Sequence, residues 1–94
     1  MAHALDFELP EQLTVGVVQA LHEQLETLVD DKKNDHIILH AGGVNRADTA
    51  GIQLLYALVL AARERQIALT WQNPSEKLRT AAQILGMTSH LGIH

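Results

Sequence analysis

The chain has 94 residues, the size of one small domain spanning residues 1–94. Its composition is 47% hydrophobic and only 3% aromatic, so we expect an aliphatic core; the absence of cysteine excludes disulfides and thiolate chemistry. The formal net charge is -4 and the basic residues are scattered among acids, which argues against a nucleic-acid-binding face.

The N-terminal region predicts two strands and a helix. Alternating apolar residues over 5–9 indicate a half-buried strand, and a turn over 10–12 follows. A short apolar run over 13–15 predicts that the chain returns beside the first strand as an antiparallel hairpin. An apolar stripe at helical spacing, from Val17 to Val29, then predicts an amphipathic helix with one face on a sheet.

The middle of the chain predicts a strand, a loop and a helix. The apolar run His36–His40 indicates a central strand that is buried on both faces. A loop over 41–47 follows, and residues 49–66 form the most apolar helix that the chain can make. We expect Asp48 to cap this helix, because its carboxylate can accept hydrogen bonds from the first free N–H groups.

The last third predicts another strand over 67–71 and a helix that starts at Asn73-Pro74-Ser75-Glu76, with Asn73 as the cap. Its inner stripe runs from Leu78 to Leu85, and one short helical turn follows within residues 87–94. The whole order predicts an α/β fold with a mixed sheet of about four to five strands, namely the antiparallel N-terminal hairpin plus parallel βαβ units, and about three main helices.

The loop before Asp48 is the candidate functional site, since functional loops gather beyond the carboxyl ends of parallel strands. Thr49 places a hydroxyl in the first helical turn, where the helix dipole favours negative charge. The helix would tolerate a phosphate on Thr49, yet the phosphate would change the surface that a partner meets. Thr49 is therefore a candidate switch rather than a catalyst.

The helix after Asp48 carries more apolar surface than one side needs. Five of its residues are expected to face the sheet: Ile52, Leu55, Leu58, Val59 and Ala62. The others contact a neighbouring helix, or they form a patch for a partner or for a second copy of the chain. Arg46 is either a solvated loop residue or a ligand for a phosphate or a partner's acid. The candidate partner-binding residues are Arg46, Asp48, Thr49, Gln53, Tyr56, Ala57 and Leu60.

The sequence offers little support for a metal site or for an enzyme active site. There are six histidines, but His36 and His40 on one strand would lie roughly 13 Å apart, too far to share one ion. No Ser-His-Asp, nucleophile-elbow or dinucleotide pattern is present. We therefore expect no metal, no cofactor and no enzymatic activity.

Residues 1–6 lack the charged and apolar regions of a secretory signal. The longest apolar stretch is about half of the roughly 20 residues that a membrane-spanning helix needs. These features predict a cytoplasmic protein without direct membrane insertion.

Together these residues resemble the STAS domain, the fold of bacterial anti-sigma factor antagonists, over nearly the whole chain. The markers are the strand Ile37-Ile38-Leu39, the segment Val44-Asn45-Arg46-Ala47-Asp48-Thr49-Ala50-Gly51, the helix start Ile52-Gln53-Leu54-Leu55, and the later Asn73-Pro74-Ser75 and Leu85-Gly86-Met87.

In the antagonists of this family, a partner kinase that is also an anti-sigma factor phosphorylates the Ser or Thr directly after the Asp. The resemblance carries that role to Thr49, and it implies a bacterial, non-enzymatic signal-transduction module and phosphoprotein. Its partner would be an anti-sigma factor and serine kinase, or another protein of a chemosensory or stressosome-type assembly. The alternative is a constitutive cytoplasmic subunit of a phospholipid-transporting ABC complex. A homodimer is also left open.

Overall fold

The computed structural model describes residues 4–93. Residues 1–3 of the N-terminal segment considered above, and residue 94, lie outside that range. The strands are β1 (Ala4–Glu8), β2 (Gln12–Leu13), β3 (His36–His40), β4 (Arg46–Ala47) and β5 (Ala68–Gln72). The helices are α1 (Val18–Asp30), α2 (Thr49–Glu64), α3 (Glu76–Ile84) and α4 (Thr88–Leu91). Within residues 4–93, every helix is too short or too polar to traverse a bilayer.

The main sheet is parallel, with β3 between β1 and β5. Since side chains alternate along a strand, one face carries the apolar members of all three strands. Ile37 and Leu39 on β3 are fully buried on this face. The helices supply the other half of the core, which includes the buried Leu21 and Leu25 of α1 and Leu55 of α2.

The opposite face of the main sheet is polar and largely exposed. There, His40 Nε2 lies 2.6 Å from Asp6 Oδ1, and His36 Nε2 lies 2.8 Å from Thr70 Oγ1. Ile38, between them, is only half-buried. The prediction that His36–His40 is buried on both faces is therefore wrong, because the helices cover one face of the sheet.

The predicted antiparallel N-terminal hairpin is also wrong. β1 pairs with β3, whereas β2 pairs in parallel with β4, so two parallel sheets replace one mixed sheet. The Glu11 carbonyl accepts hydrogen bonds from the N–H groups of Asn45 and Arg46, at 2.7 and 3.1 Å. The returning segment thus finds its backbone partners in the residues before α2, which alternation along a single strand cannot reveal.

The main helices form where periodicity predicts them, and two details differ. α3 is capped by Ser75, whose Oγ accepts from the Leu78 N–H at 3.1 Å. Asn73, the predicted cap, instead has a left-handed backbone with φ of 54°. Leu85 follows the end of α3 and is exposed rather than part of an inner stripe. The predicted short turn is α4, and the indole N–H of Trp71 donates to the Leu91 carbonyl at 2.8 Å.

Candidate functional site

Asp48 joins three segments at the start of α2. One carboxylate oxygen accepts from the Gly51 N–H at 2.9 Å and caps the helix, as the sequence predicts. The other accepts from the Val15 N–H, also at 2.9 Å, in the loop between β2 and α1. The Asp48 N–H in turn donates to the Leu13 carbonyl at 3.0 Å. One side chain and its own amide therefore fix the relative positions of β2, the loop and α2.

These contacts also set the charge of the site. The hydrogen bonds from the Gly51 and Val15 amides, in that order, lower the pKa of Asp48, and burial opposes this in part. The amide of Ala50 and the charge of Arg46 lower it further. A carboxylate that accepts several N–H groups is stabilised in its ionised form. Asp48 is thus a fixed negative charge at neutral pH.

Gly51 allows α2 to approach β2 closely. A Cβ atom at this position would clash with the Leu13 carbonyl oxygen and would lie 2.9 Å from the Leu13 Cβ. Gly51 itself is buried. The first turn of α2 therefore rests directly on the backbone of β2, which leaves the outer side of that turn facing solvent.

Thr49 lies on that outer side and is exposed. Within residues 4–93, its hydroxyl forms no hydrogen bond. The hydroxyl is consequently accessible at the positive end of the helix dipole, beside the ionised Asp48 carboxylate.

The exposed stripe of α2 continues from Thr49 through Gln53, Ala57 and Leu60. Tyr56 is half-buried, and its ring makes an edge-to-face contact with His90 of α4, with centroids 5.4 Å apart. The residues predicted to face the sheet are all removed from solvent to some degree: Ile52, Leu55, Leu58 and Ala62 are buried and Val59 is half-buried. Of the candidate residues on α2, Tyr56 thus contacts α4, and Ala57 lines the groove between α1 and α2.

Arg46 lies on β4, exposed, at the other side of Asp48. Its charge reaches Asp48, but it forms no ion pair with any residue in the described part of the chain. The structure therefore brings Arg46, Asp48 and Thr49 together at the start of α2, with Gln53, Ala57 and Leu60 extending away along the helix.

Val15 is a surface residue that the sequence analysis assigned to a strand and so missed. Its side chain is 74% exposed, although its amide is held by Asp48. The one local signal was Gly16, which interrupts the strand pattern directly after it. Val15 is thus an exposed apolar side chain on the loop that Asp48 anchors.

The described residues contain no group of three or more His, Asp or Glu side chains arranged to bind a metal ion. On the exposed face of the sheet, His36 is hydrogen-bonded to Thr70 and His40 is hydrogen-bonded to Asp6.

The family model described as "Mlab, STAS domain" matches residues 2–92, and the chain belongs to this family. Among solved structures, the chain is similar to the anti-sigma factor antagonist SpoIIAA in its unphosphorylated form, with a TM-score of 0.75 and 17% sequence identity. That match covers 95% of this chain and 77% of the SpoIIAA chain. A search of curated proteins finds no match. At this identity the likeness to SpoIIAA shows a shared fold, and the resemblance inferred from the sequence is confirmed.

Proposed function

We propose that this STAS domain is a non-enzymatic regulatory module that binds a partner protein in the cytoplasm, and that phosphorylation of Thr49 switches the binding. The binding surface comprises Arg46, Asp48, Thr49, Gln53, Ala57 and Leu60, with Tyr56 at its margin. The observation that supports this proposal best is the exposed Thr49 hydroxyl beside a firmly capped helix start. The partner class follows the family: an anti-sigma factor and serine kinase, or another signalling protein.

The switch would act on recognition rather than on folding. A phosphate adds about 1.5 to 2 negative charges at neutral pH. The helix dipole offsets part of that charge at the first turn of α2. Asp48 is already ionised next to the phosphate, so the combined charge would repel an acidic partner surface and disfavour an apolar contact. Arg46 is the nearby cation that would reduce this repulsion, and because it is exposed it could also contact the partner.

Affinity capture from the native host tests the proposal, with wild type, Thr49→Ala and Thr49→Glu as baits and phosphopeptide mapping of the wild-type bait. We expect the partner to be retained by Thr49→Ala and lost by Thr49→Glu. Thr27→Glu is the matched control, because Thr27 is an exposed threonine on α1. Equal capture by all four proteins would remove Thr49 from the mechanism.

A second candidate is a constitutive subunit of a phospholipid-transporting ABC complex. The observation that favours it is Leu60, an apolar side chain 39% exposed on α2. Leu60 is eleven residues from Thr49, roughly 16 Å along the helix axis. This exceeds the screening length of about 8 Å at physiological salt, so a phosphate on Thr49 would affect docking at Leu60 only weakly.

Co-purification separates the two candidates. A constitutive subunit stays bound in high salt and yields no phosphopeptide. Leu60→Asp should then abolish assembly, whereas Leu85→Asp, at the same 39% exposure beyond α3, should not. Retained assembly by Leu60→Asp, with an unchanged circular dichroism spectrum, would contradict this candidate.

A further inference from the structure

A second surface lies on the other side of Arg46, in a groove between β4 and α3. Its volume is about 430 Å³, which lies within the range of ligand-binding clefts. Both kinds of side chain line it, and we refer to the apolar ones as its apolar wall and to the charged ones as its rim. The lining residues that matter here are Arg46, Ala47, Glu76, Lys77, Ala81 and Ile84.

The rim of this groove offers unpaired positive charge. Neither Arg46 nor Lys77 forms an ion pair or side-chain hydrogen bond with any residue from 4 to 93. Glu76 is the one acid that lines the groove. The whole chain has 7 basic residues against 11 acidic ones, so the basic excess in the groove is a local reversal of the overall charge.

The apolar wall is unusually open. Ile84, at the end of α3, is 77% exposed, the highest exposure of any large hydrophobic side chain in residues 4–93. Ala47 and Ala81 line the same groove and are half-buried. Small side chains beside a large exposed one leave room for an incoming apolar side chain to pack against Ile84.

The groove is also held in shape by the backbone. The Ser75 hydroxyl donates to the Val44 carbonyl at 2.6 Å while its oxygen caps α3, so the start of α3 is tied to the loop before β4. On the other side, the Glu11 carbonyl accepts from the Arg46 N–H at 3.1 Å. A preformed groove lowers the cost of ordering that binding would otherwise carry.

The groove between α1 and α2 differs from this one in its size and in the pairing of its polar side chains. It is smaller, at about 230 Å³, and its polar lining residues already have partners, since Arg65 contacts Asp30 at 3.0 Å and His22 contacts Glu26 at 3.2 Å. Nothing about it selects one kind of ligand.

We propose that the groove between β4 and α3 docks a segment of a partner protein in which an apolar side chain is flanked by carboxylates. The apolar side chain packs on Ile84 and Ala81, and the carboxylates meet Arg46 and Lys77. This docking goes beyond the proposed switch, because it requires neither Thr49 nor the exposed stripe of α2. Arg46 borders both surfaces, so one partner could span them.

Fluorescence anisotropy with a labelled short peptide tests the proposal, the peptide having a central leucine flanked by glutamates. We expect saturable binding that weakens as salt is added, since exposed charge pairs are screened. Ile84→Ser should weaken binding about tenfold or more, because it removes a buried apolar contact. Lys77→Glu should weaken it about fivefold.

Arg79→Glu is the matched control, because it makes the same charge change on α3 at a residue that does not line the groove. Thr49→Ala and Leu60→Asp should both bind the peptide like wild type, so failure of the α2 proposal would not affect this one. Three results would overturn the docking proposal: no saturable binding by wild type, equal losses in Lys77→Glu and Arg79→Glu, or equal binding of a peptide with lysines in place of the glutamates.

Discussion

Val15 and Asp48 are separated by 33 positions in sequence, yet the Val15 amide nitrogen lies 2.9 Å from a carboxylate oxygen of Asp48. Because the other oxygen of the same carboxylate caps α2, the loop that displays Val15 and the turn that displays Thr49 share one anchor. Asp48 therefore both belongs to the surface proposed for partner binding and holds that surface together.

Removing that anchor should lower stability in two steps. Asp48→Ala loses both hydrogen bonds and should lower the melting temperature most. Asp48→Asn keeps one oxygen but sets its NH₂ group against an N–H donor. Its melting temperature should therefore lie between those of wild type and Asp48→Ala. Thermal unfolding by circular dichroism measures this, with the exposed Glu64→Gln as control. A melting temperature of Asp48→Asn below that of Asp48→Ala would contradict the shared role of the two oxygens.

The contribution of Asp48 should depend on pH in a defined direction. Its pKa is lower in the folded protein than its ordinary value of about 3.9. The stabilisation is thus fully present above that value and is lost as the pH falls through the folded pKa. Urea unfolding of wild type and Asp48→Asn should show a gap in unfolding free energy that narrows from about pH 7 to about pH 3. A gap that stays constant over this range would show that the carboxylate charge is irrelevant.

Gly51→Ala should destabilise the protein, although Ala is normally the better helix former. The added methyl would clash with the Leu13 backbone, and overpacking of this kind costs about 1–3 kcal/mol. Gly43→Ala is the control, since a Cβ there meets no atom within 4 Å and surface changes stay within about 0.5 kcal/mol. Chemical denaturation measures both. Similar unfolding free energies for the two variants would argue against close contact between α2 and β2.

Ser75→Ala should loosen the groove beside α3. The change removes the cap of α3, which costs about 0.5–2 kcal/mol, and it also removes the donor to the Val44 carbonyl. The same variant should bind the acidic peptide more weakly, because the groove loses one of its ties. Ser89→Ala, at an exposed position on α4, should change neither quantity. Peptide affinity unchanged in Ser75→Ala would mean that the groove keeps its shape without this tie.

Local patterns predicted the parts of this fold that local physics determines. The periodicity of α1 and α2, the strand at His36–His40 and the cap at Asp48 all follow from residues within a few positions of one another. The pairing of β2 with β4 does not, because the alternation of apolar residues is the same whichever strand lies alongside. The sequence predicts that β1 pairs with β2, whereas in the structure β1 pairs with β3 and β2 pairs with β4.

The candidate site divides in the same way. Asp48 and Thr49 could be placed at the start of a helix from sequence alone. The exposure of Val15 and the unpaired charges of Arg46 and Lys77 could not, since they depend on which segments pack together in three dimensions. The cap of α3 shows how far the sequence alone can predict. Asn73 and Ser75 are both residue types that cap helices well. The structure shows a left-handed backbone at Asn73 and an extended one at Ser75, and Ser75 is the cap.

The bond between the Trp71 indole and the Leu91 carbonyl gives the protein a built-in optical reporter. Trp71 is the sole tryptophan of the chain, so the tryptophan fluorescence arises from one half-buried ring beside α4. Detachment of α4 would expose that ring to water and shift its emission to longer wavelength, without any label. Titrations with a partner can therefore be followed on the unmodified molecule. A change in emission would show that binding at α2 or α3 alters the contact between Trp71 and α4.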